Sequence, residues 1–416
     1  MRKKETLAIL TAGGPAPGIN GVISAATIEA VNRGLKVIGI LDGFKWLIKR
    51  DWTKITYLSI DNSSRIHNTG GSVSVIGISR DNPTQSKQSM ANVISTLKKL
   101  KVDYLMAIGG DGTLFLANEV SKASRGRFKI VHVPKTIDNN IALPGYIPTF
   151  GFETARHIGT REVQNLMEDA RTTKRWFFVV TMGRKTGHLA LGIGRAASAT
   201  ISVIPEEFGR KIISLDSVVK ILVGSVIKRL SNDDEHGVAI ISEGIANILD
   251  ENSLSHLKDL QKDEFGRVRF SELDLGQLLK KEATKKLEEM GIDIRIVDKR
   301  IGYELRSAPP IPFDAKYTRD LGYSAVKFLL QGGRDAMVTI QRGKMVPIGF
   351  DKLIDSRTGK TKIRYVDINT ESYEVARKYM IRLEKEDLDD QKKLRKINKV
   401  TNISANKFRE YFGDIF

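Results

Sequence analysis

The chain has 416 residues, 41% of them hydrophobic and 28% charged, a composition that excludes a largely disordered protein and a length that allows two or three domains with buried cores. Cysteine is absent, which excludes disulfides, cysteine-ligated metal sites and thiol nucleophiles. The 67 Lys and Arg against 49 Asp and Glu give a net charge of +18, so anionic partners are favoured.

Charge alone does not choose among nucleic acid, a membrane surface and small phosphates. The basic residues are scattered and aromatic residues make up only 7% of the chain, which is not typical of a nucleic-acid binder. No run approaches the roughly 18 apolar residues of a membrane helix, and the short apolar stretch at 7–10 is interpreted as a strand rather than a signal peptide. We expect a cytoplasmic protein that binds neither nucleic acid nor membrane.

Apolar strand patterns alternate with helical patterns along the chain. The first series has strands at 7–11, 37–41, 104–108 and 130–134, with helices at 19–32 and 114–123. A second series has strands at 176–181, 200–204, 237–242 and 294–297, with helices at 188–197 and 214–229. Strands separated by helices predict parallel, doubly wound sheets, and therefore an α/β protein with two such domains.

The last quarter begins after a proline-rich stretch at 309–312. A helix is predicted at 317–330, strands at 337–341 and 344–347, a strand-like run at 360–367, and helices with mixed charge from 372 onward. The predicted domains are residues 1–149, completed by about 304–355, then 150–303, and a largely helical C-terminal extension at 356–416.

Two glycine-rich turns, at 13–18 and 109–113, follow predicted strands and open predicted helices. Unpaired main-chain N–H groups and the helix dipole hold phosphate at such turns, and bare glycine lets a polyphosphate approach closely. An ordinary strand-to-helix turn explains residues 13–18 equally well. In the second turn, Asp111 is a candidate ligand for the Mg²⁺ of a bound polyphosphate.

A third polar loop follows the strand at 130–134. Lys135, Thr136 and Asp138 bring an ammonium, a hydroxyl and a carboxylate to the carboxyl edge of the sheet, where ligands of open α/β sheets bind. A carboxylate beside a phosphate donor can take the proton of an attacking hydroxyl. A lone aspartate after a strand is more often a helix cap, but three such loops together favour phosphoryl transfer.

Two other glycine motifs carry no function. Residues 357–361 end like a P-loop, but Ile354 stands where the first glycine is required and a strand-like run follows. Residues 192–197 fit a loose dinucleotide fingerprint inside a helical pattern, which favours helix packing.

Several motifs stand in the order and spacing of the 6-phosphofructokinases, and the chain resembles that family over roughly residues 5–385. The matching segments are Gly109-Gly110-Asp111-Gly112-Thr113, Pro134-Lys135-Thr136-Ile137-Asp138-Asn139, Gly151-Phe152-Glu153-Thr154-Ala155, Met182-Gly183-Arg184 with Gly187-His188, Ser242-Glu243-Gly244, and Arg306 with Phe313-Asp314. The resemblance is closest to the long group that contains many pyrophosphate-dependent enzymes. It implies two Rossmann-like domains with the active site in the cleft between them, Mg²⁺ as cofactor, fructose 6-phosphate as substrate, and a homo-oligomer, either dimer or tetramer.

The resemblance also implies a catalytic group of Lys135, Thr136, Asp138 and Arg184. Asp138 matches the general base that deprotonates the 1-hydroxyl of fructose 6-phosphate, and Thr136 matches a residue that orients it. Arg184 matches an arginine that stabilises charge on the transferring group. Asp111 matches the residue associated with Mg²⁺.

Two larger sets match binding positions. The implied donor-binding residues are Gly13, Gly14, Arg80, Gly109, Gly110, Gly112 and Thr113. The implied sugar-phosphate residues are Thr136, Asp138, Arg175, Met182, Gly183, Arg184, Glu243, Tyr303 and Arg306. Arg175 matches an arginine that reaches the sugar phosphate of a neighbouring subunit, so the resemblance implies a site shared between subunits.

Gly112 and Lys135 indicate different phosphate donors. ATP-dependent members resemble this chain at Gly112, because pyrophosphate-dependent members carry an aspartate there that repels the nucleotide α-phosphate. Lys135 is similar to the pyrophosphate-dependent members, and its ammonium can hold a phosphate. Because exclusion decides more strongly than attraction, we expect the γ-phosphate of ATP to be transferred, giving fructose 1,6-bisphosphate in glycolysis, with pyrophosphate as the alternative donor.

Two departures from the family pattern leave another alternative open. Asn140 replaces an aspartate, which removes a negative charge near the metal. Residues 71–77 form a loop two residues longer than the family loop. Asn140 motivates the second alternative, a non-catalytic regulatory subunit that binds sugar phosphate.

Overall fold

The computed structural model describes residues 4–64, 74–209, 211–254 and 273–415, so part of the 71–77 loop lies outside the described residues. The chain divides into two compact units. Unit 1 comprises Met1–Ala155 and Tyr303–Arg364, and unit 2 comprises Arg156–Gly302 and Tyr365–Phe416. The segment from Tyr365 onward thus belongs to unit 2, whereas the boundaries 1–149 with 304–355, 150–303 and 356–416 stay a prediction.

Elements from the first half of the chain form most of unit 1. Its first strands are β1 (Thr6–Thr11), β2 (Lys36–Ile40), β3 (Ile55–Leu58), β4 (Tyr104–Gly109) and β5 (Lys129–Pro134). The helices among them are α1 (Ile19–Asn32), α2 (Lys45–Ile48), α3 (Ile60–Ser63), α4 (Lys87–Lys99) and α5 (Asp111–Ser124). The long helix α6 (Phe152–Thr173) follows and contains the unit boundary.

Unit 2 continues with strands β6 (Trp176–Thr181), β7 (Ile201–Val203), β8 (Gly237–Ser242) and β9 (Ile296–Ile301). Its helices here are α7 (His188–Ala197), α8 (Leu215–Leu230) and α9 (Leu275–Glu289). The chain then returns to unit 1 with α10 (Tyr303–Arg306), α11 (Pro312–Leu330), β10 (Ala336–Gln341), β11 (Lys344–Gly349) and α12 (Phe350–Leu353). Short helices end unit 2: α13 (Glu371–Lys378), α14 (Lys385–Asp389), α15 (Gln391–Asn398) and α16 (Ala405–Phe412).

Unit 1 is built on a seven-stranded sheet in the order β11-β10-β5-β4-β1-β2-β3. The central strands β1 and β4 are parallel and buried along their whole length, as their continuous apolar sequences require in a sheet covered on both faces. The β2–β3 and β10–β11 pairs are antiparallel, so the predicted parallel sheet is mixed at both edges. Arg342 and Gly343 join β10 to β11 with positive φ angles of 50° and 75°, a turn that allows immediate reversal.

Unit 2 contains a four-stranded sheet, all parallel, in the order β7-β8-β6-β9. The predicted C-terminal helices are confirmed, and their apolar residues Leu388, Leu394, Phe408 and Phe412 join the core of this unit. The α/β class and the helical C-terminal region are therefore as predicted. Among the described residues, no helix is long and apolar enough to cross a membrane.

The prediction of a strand-like run at 360–367 is wrong. Only two isolated bridges occur there, Ile354 with Thr361 and Ile141 with Ile363, and no ladder extends from them. The turn before it is closed by Asp355 Oδ1, which accepts from the N–H groups of Arg357 and Thr358. The alternating pattern thus encodes an irregular segment, of which residues 361–364 contact loops of unit 1.

Candidate functional site

Three loops of unit 1 begin at the carboxyl ends of the neighbouring strands β1, β4 and β5. Main-chain bonds hold the loops together: Ala12 N–H donates to Ile108 O at 3.0 Å, and Lys135 N–H donates to Gly109 O at 2.9 Å. The three polar motifs predicted from the sequence therefore lie side by side, at the sheet edge where parallel α/β proteins bind ligands.

The second loop opens helix α5 with bare backbone. A Cβ at Gly109 would collide with the side chain of Thr113, and Gly110 precedes the helix without a side-chain cap. The first N–H groups of a helix have no intrahelical acceptor, so this end of α5 can hold an anion. Asp111 is the first residue of the helix and is half-buried. A Cβ at Gly112 would meet no atom within 4 Å, so the space beside it is open.

Three cationic side chains converge on the Gly13–Gly14 turn. Lys135 is 3% exposed, and its Nζ donates to Gly14 O and lies 3.4 Å from the position of a Cβ at Gly13. A Cβ at Gly14 would lie 3.3 Å from Nη1 of Arg306 and 3.7 Å from Nη2 of Arg80. Arg80 is brought there because Gly13 N–H donates to Ser79 O at 2.9 Å. This turn thus combines bare backbone with a high local positive charge.

Asp138 lies half-buried in the third loop, which is held by hydroxyl groups. Asp138 N–H donates to Thr136 Oγ1 at 3.0 Å, and the buried Thr149 donates its hydroxyl to Thr136 O at 2.7 Å. Thr149 N–H donates to Asn139 Oδ1 at 3.0 Å. These bonds fix the backbone on both sides of Asp138 and leave its carboxylate at the partly exposed surface of the loop.

The motif residues of unit 2 meet around one carboxylate. Glu243 Oε1 accepts from the N–H groups of Arg184 at 2.8 Å and Gly183 at 3.1 Å. Arg184 is exposed and has a positive φ of 54°, so this short turn needs such an anchor. Met182 precedes the turn, its N–H donating to Ile301 O at 3.2 Å. Glu243 therefore positions the Arg184 backbone in addition to any contact with a ligand.

The remaining predicted residues have local contacts. Arg175 Nε donates to Thr173 Oγ1 at 2.5 Å and pairs with Asp169 at 3.5 Å, all within unit 2. Tyr303 is 61% exposed, and the guanidinium of Arg306 lies 4.6 Å from its ring centroid. Arg306, predicted at the sugar phosphate, thus stands beside the Gly14 turn of its own unit.

The carboxylates near these loops suit only one mode of Mg²⁺ binding. In the part of the chain that the structure describes, no group of three or more His, Cys, Asp or Glu residues could hold a metal. Mg²⁺ in phosphoryl-transfer sites is commonly held by one or two carboxylates, with substrate phosphates and water completing its shell. Asp111, at the start of α5, is a carboxylate of the kind that this mode uses, and an all-protein site would need more such ligands.

Sequence reasoning missed Arg364, which contacts the loop of Asp138, and His132, which lies on the strand before that loop. The guanidinium of Arg364 donates to the main-chain carbonyl of Asn139, and His132 is fully buried on β5, where burial lowers the pKa of its ring to about 3. A lone arginine in an extended run carries no sequence signal, because its partners are backbone carbonyls. Asp314, part of the Phe313-Asp314 motif, accepts from Gly151 and Thr154 at the start of α6, and burial raises its pKa.

Known proteins resemble this chain along nearly its whole length. A Thermotoga maritima protein named pyrophosphate–fructose 6-phosphate 1-phosphotransferase is 52% identical over 391 residues, 93% of each chain. A Naegleria fowleri protein of the same name is 44% identical over 416 residues, covering 98% of this chain and 95% of the relative. The crystal structure of a pyrophosphate-dependent phosphofructokinase from Nitrosospira multiformis matches with a TM-score of 0.67 at 17% identity, covering 92% of this chain and 93% of that one, which shows the shared fold.

The prediction of ATP as the donor is wrong, because both of these relatives are named for pyrophosphate. The prediction depended on Gly112, whose surroundings are indeed open. Open space permits a nucleotide but supplies no contact that binds one. Lys135, which indicated pyrophosphate, lies against the glycine turn, where its Nζ donates to Gly14 O. The guanidinium groups of Arg80 and Arg306 lie near the same glycine.

The comparison with family models gives a continuous match. The model described as phosphofructokinase matches residues 6–329, which include the three loops of unit 1, the Met182–Arg184 turn and Glu243. The chain therefore belongs to the phosphofructokinase family.

Proposed function

We propose that the protein is a pyrophosphate-dependent fructose 6-phosphate 1-phosphotransferase. The observation that carries this proposal is the convergence of Lys135, Arg80 and Arg306 on the Gly13–Gly14 turn. Pyrophosphate is a small anion with its charge concentrated on two phosphates, so a compact group of cations on bare backbone suits it. The names of the 52% and 44% identical relatives support the same donor.

The three cations have different roles in this proposal. The Lys135 ammonium is a compact charge fixed by its bond to Gly14 O, and it faces the phosphate nearest the glycine turn. The guanidinium groups of Arg80 and Arg306 offer several N–H donors each and hold oxygens of both phosphates. The open N-terminus of α5 supplies further main-chain N–H groups.

Asp138 acts as the general base. Its carboxylate takes the proton of the 1-hydroxyl of fructose 6-phosphate while that oxygen forms a bond to the phosphorus of pyrophosphate. The bond from this phosphorus to the bridging oxygen breaks, and inorganic phosphate leaves. Thr136 and Thr149 hold the backbone around Asp138, so the carboxylate is positioned before the substrate binds.

Mg²⁺ fits the donor side of the proposal. Asp111 would hold the ion together with pyrophosphate oxygens, as its place at the start of α5 beside the glycine turn allows. When bound, the ion neutralises charge on the phosphates during transfer. Asn140 contributes an amide rather than a carboxylate, so Asp111 is the principal protein carboxylate for the metal.

Unit 2 carries two further residues with proposed roles, Arg184 and Arg175. Arg184 faces solvent on the turn held by Glu243, and its guanidinium stabilises the transferring phosphoryl group. Arg175 is proposed to serve the sugar phosphate of a neighbouring subunit, which makes the protein a homo-oligomer. A cytoplasmic location and the predicted cleft site remain predictions.

The test is formation of fructose 1,6-bisphosphate by purified protein with fructose 6-phosphate and Mg²⁺, with pyrophosphate or ATP as the only donor. Product with pyrophosphate supports the proposal, and product with ATP alone overturns the assignment of pyrophosphate as the donor. If neither donor gives product while fructose 6-phosphate still binds, the result favours a non-catalytic regulatory subunit over an enzyme.

A further inference from the structure

The loop that carries Asp138 has a strained backbone. Asn139, the next residue, has a positive φ of 54°, in the left-handed region that asparagine enters more readily than most side chains but still at a cost. The side chain of Asn139 accepts from Thr149 N–H at 3.0 Å, but that bond leaves the main-chain carbonyl of Asn139 to be satisfied elsewhere. A strained residue beside a catalytic carboxylate persists only if its surroundings hold it.

Arg364, the last residue of unit 1 in the sequence, holds Asn139 in this conformation. Its Nε and Nη2 donate to Asn139 O at 3.1 and 3.0 Å, and Nη2 also donates to Asn139 Oδ1. Its Nη1 donates to Pro144 O at 3.1 Å and to Ile147 O at 2.8 Å. One planar guanidinium thus joins the start and the end of the loop that contains Asp138.

The backbone around Arg364 contacts the same loop and its neighbour. Arg364 N–H donates to Asn140 O at 2.9 Å, and Ile363 forms a bridge with Ile141. Three residues earlier, Thr361 donates its hydroxyl to Asp111 O at 2.9 Å. Residues 361–364 therefore contact both the loop of the proposed base and the first residue of α5.

Two further facts bear on the role of this segment. The family match ends at residue 329, so residues 361–364 lie outside it. Burial lowers the pKa of Arg364 to about 10, so the side chain keeps its charge and all its N–H donors at neutral pH.

We propose that Arg364 is a positioning residue that holds the Asp138 carboxylate in its reactive place by bonding to Asn139 and the 144–147 backbone. This inference rests on the proposed function, because Asp138 is the base only in that reaction. Arg364 itself does not touch substrate in this proposal; it acts through the loop.

The kinetic test compares Arg364→Met in the wild-type and Asp138→Asn backgrounds, with pyrophosphate, fructose 6-phosphate and Mg²⁺. We expect kcat to fall about 10²-fold in the wild-type background, with both KM values nearly unchanged, because displacing a reacting group by about 1 Å costs that much. In the Asp138→Asn background, Arg364→Met should cause no further loss. An equal loss in both backgrounds, or an unchanged kcat, overturns the proposal.

A second measurement does not depend on activity. Hydrogen exchange of the Asp138 and Thr149 amides, which donate within this loop, should become faster in Arg364→Met without any substrate. Unchanged exchange overturns the proposal. If the wild type makes no product with pyrophosphate, the proposed function fails, and the exchange result alone decides the role of Arg364.

Two variants guard against a trivial loss of folding. Arg364→Lys keeps the charge and the aliphatic stem but cannot make bonds to both ends of the loop, so it should fold and still lose kcat. Arg334→Met removes an arginine of unit 1 that donates to the Phe128 carbonyl at 3.4 Å, and it should keep wild-type kcat. Wild-type kcat in Arg364→Lys contradicts the need for the planar guanidinium.

Discussion

Glu243 is hydrogen-bonded to the backbone of Arg184, whose N–H donates to Glu243 Oε1 at an N–O distance of 2.8 Å. The same oxygen accepts from Gly183, so one carboxylate holds a turn in which Arg184 has a positive φ. Glu243, expected from the sequence only as one of the residues that bind the sugar phosphate, therefore has a second role, since it fixes the direction in which the Arg184 side chain leaves the backbone.

Glu243→Ala and Glu243→Gln separate these roles. We expect kcat/KM for fructose 6-phosphate to fall about 10²-fold in the alanine variant, which loses the anchor of the turn. The glutamine variant should lose only about tenfold or less, because its amide oxygen still accepts both bonds. Steady-state kinetics at varied fructose 6-phosphate measures both. Equal losses would show that the charge matters rather than the anchor, and Glu289→Gln on α9 is the control.

Asp138→Asn tests the base directly. Its kcat should fall by about 10²–10⁴-fold, because an amide cannot take the proton of the attacking hydroxyl. The bond from the residue 138 N–H to Thr136 Oγ1 involves the backbone and is kept, so the melting temperature should match that of the wild type. A folded variant that retains wild-type turnover would remove Asp138 from the mechanism.

Local sequence patterns predicted the parts of the site that local structure builds. The glycine turns and the Lys135–Asp138 loop all follow apolar strands, and in the structure they lie at the ends of β1, β4 and β5. The start of α5 at Asp111 rather than 114 was missed, because the glycines that open it have poor helix propensity.

Contacts between distant segments could not be predicted from such patterns. Arg364 bonds to Asn139 across 225 positions, and its acceptors are main-chain carbonyls that every residue possesses. Arg80 reaches Gly14 only because Ser79 pairs with Gly13. No residue type marks either contact, so composition and spacing reveal neither. Arg80 was placed with Gly13 and Gly14 by the family resemblance alone. The donor was predicted wrongly for a related reason: Gly112 describes one point of the site, whereas the charge around Gly14 comes from three separate segments.

Lys135→Met should weaken pyrophosphate binding. The buried ammonium is one of three cations at the glycine turn, and a hydrogen bond to a charged group is worth about 1.5–3 kcal/mol, so KM for pyrophosphate should rise about tenfold or more. KM for fructose 6-phosphate should change little. Kinetics at varied pyrophosphate provides the measurement, with Lys129→Met, at the start of the strand that precedes Lys135, as the control. An unchanged KM for pyrophosphate would place the donor elsewhere.

His132 predicts how stability responds to acid. It is fully buried, and burial lowers the pKa of its ring to about 3, whereas in the unfolded chain the ordinary value is about 6.5. Between these values the unfolded state binds a proton that the folded state refuses, so this residue makes stability fall as pH falls, by up to about 1.4 kcal/mol per pH unit. At pH 7 and above the effect vanishes, because the ring is neutral in both states.

His132→Gln removes this titration and should flatten the pH dependence of the free energy of unfolding between pH 6 and 4, as measured by urea denaturation at each pH. The other groups that titrate in this range are shared by both proteins, so the difference between the two slopes isolates His132. His157→Gln, at an exposed position of α6, controls for the loss of a histidine as such. If the free energy of unfolding has the same pH dependence in the wild type and in His132→Gln, the buried ring takes up its proton in the folded state as well, on the strand that leads into Lys135.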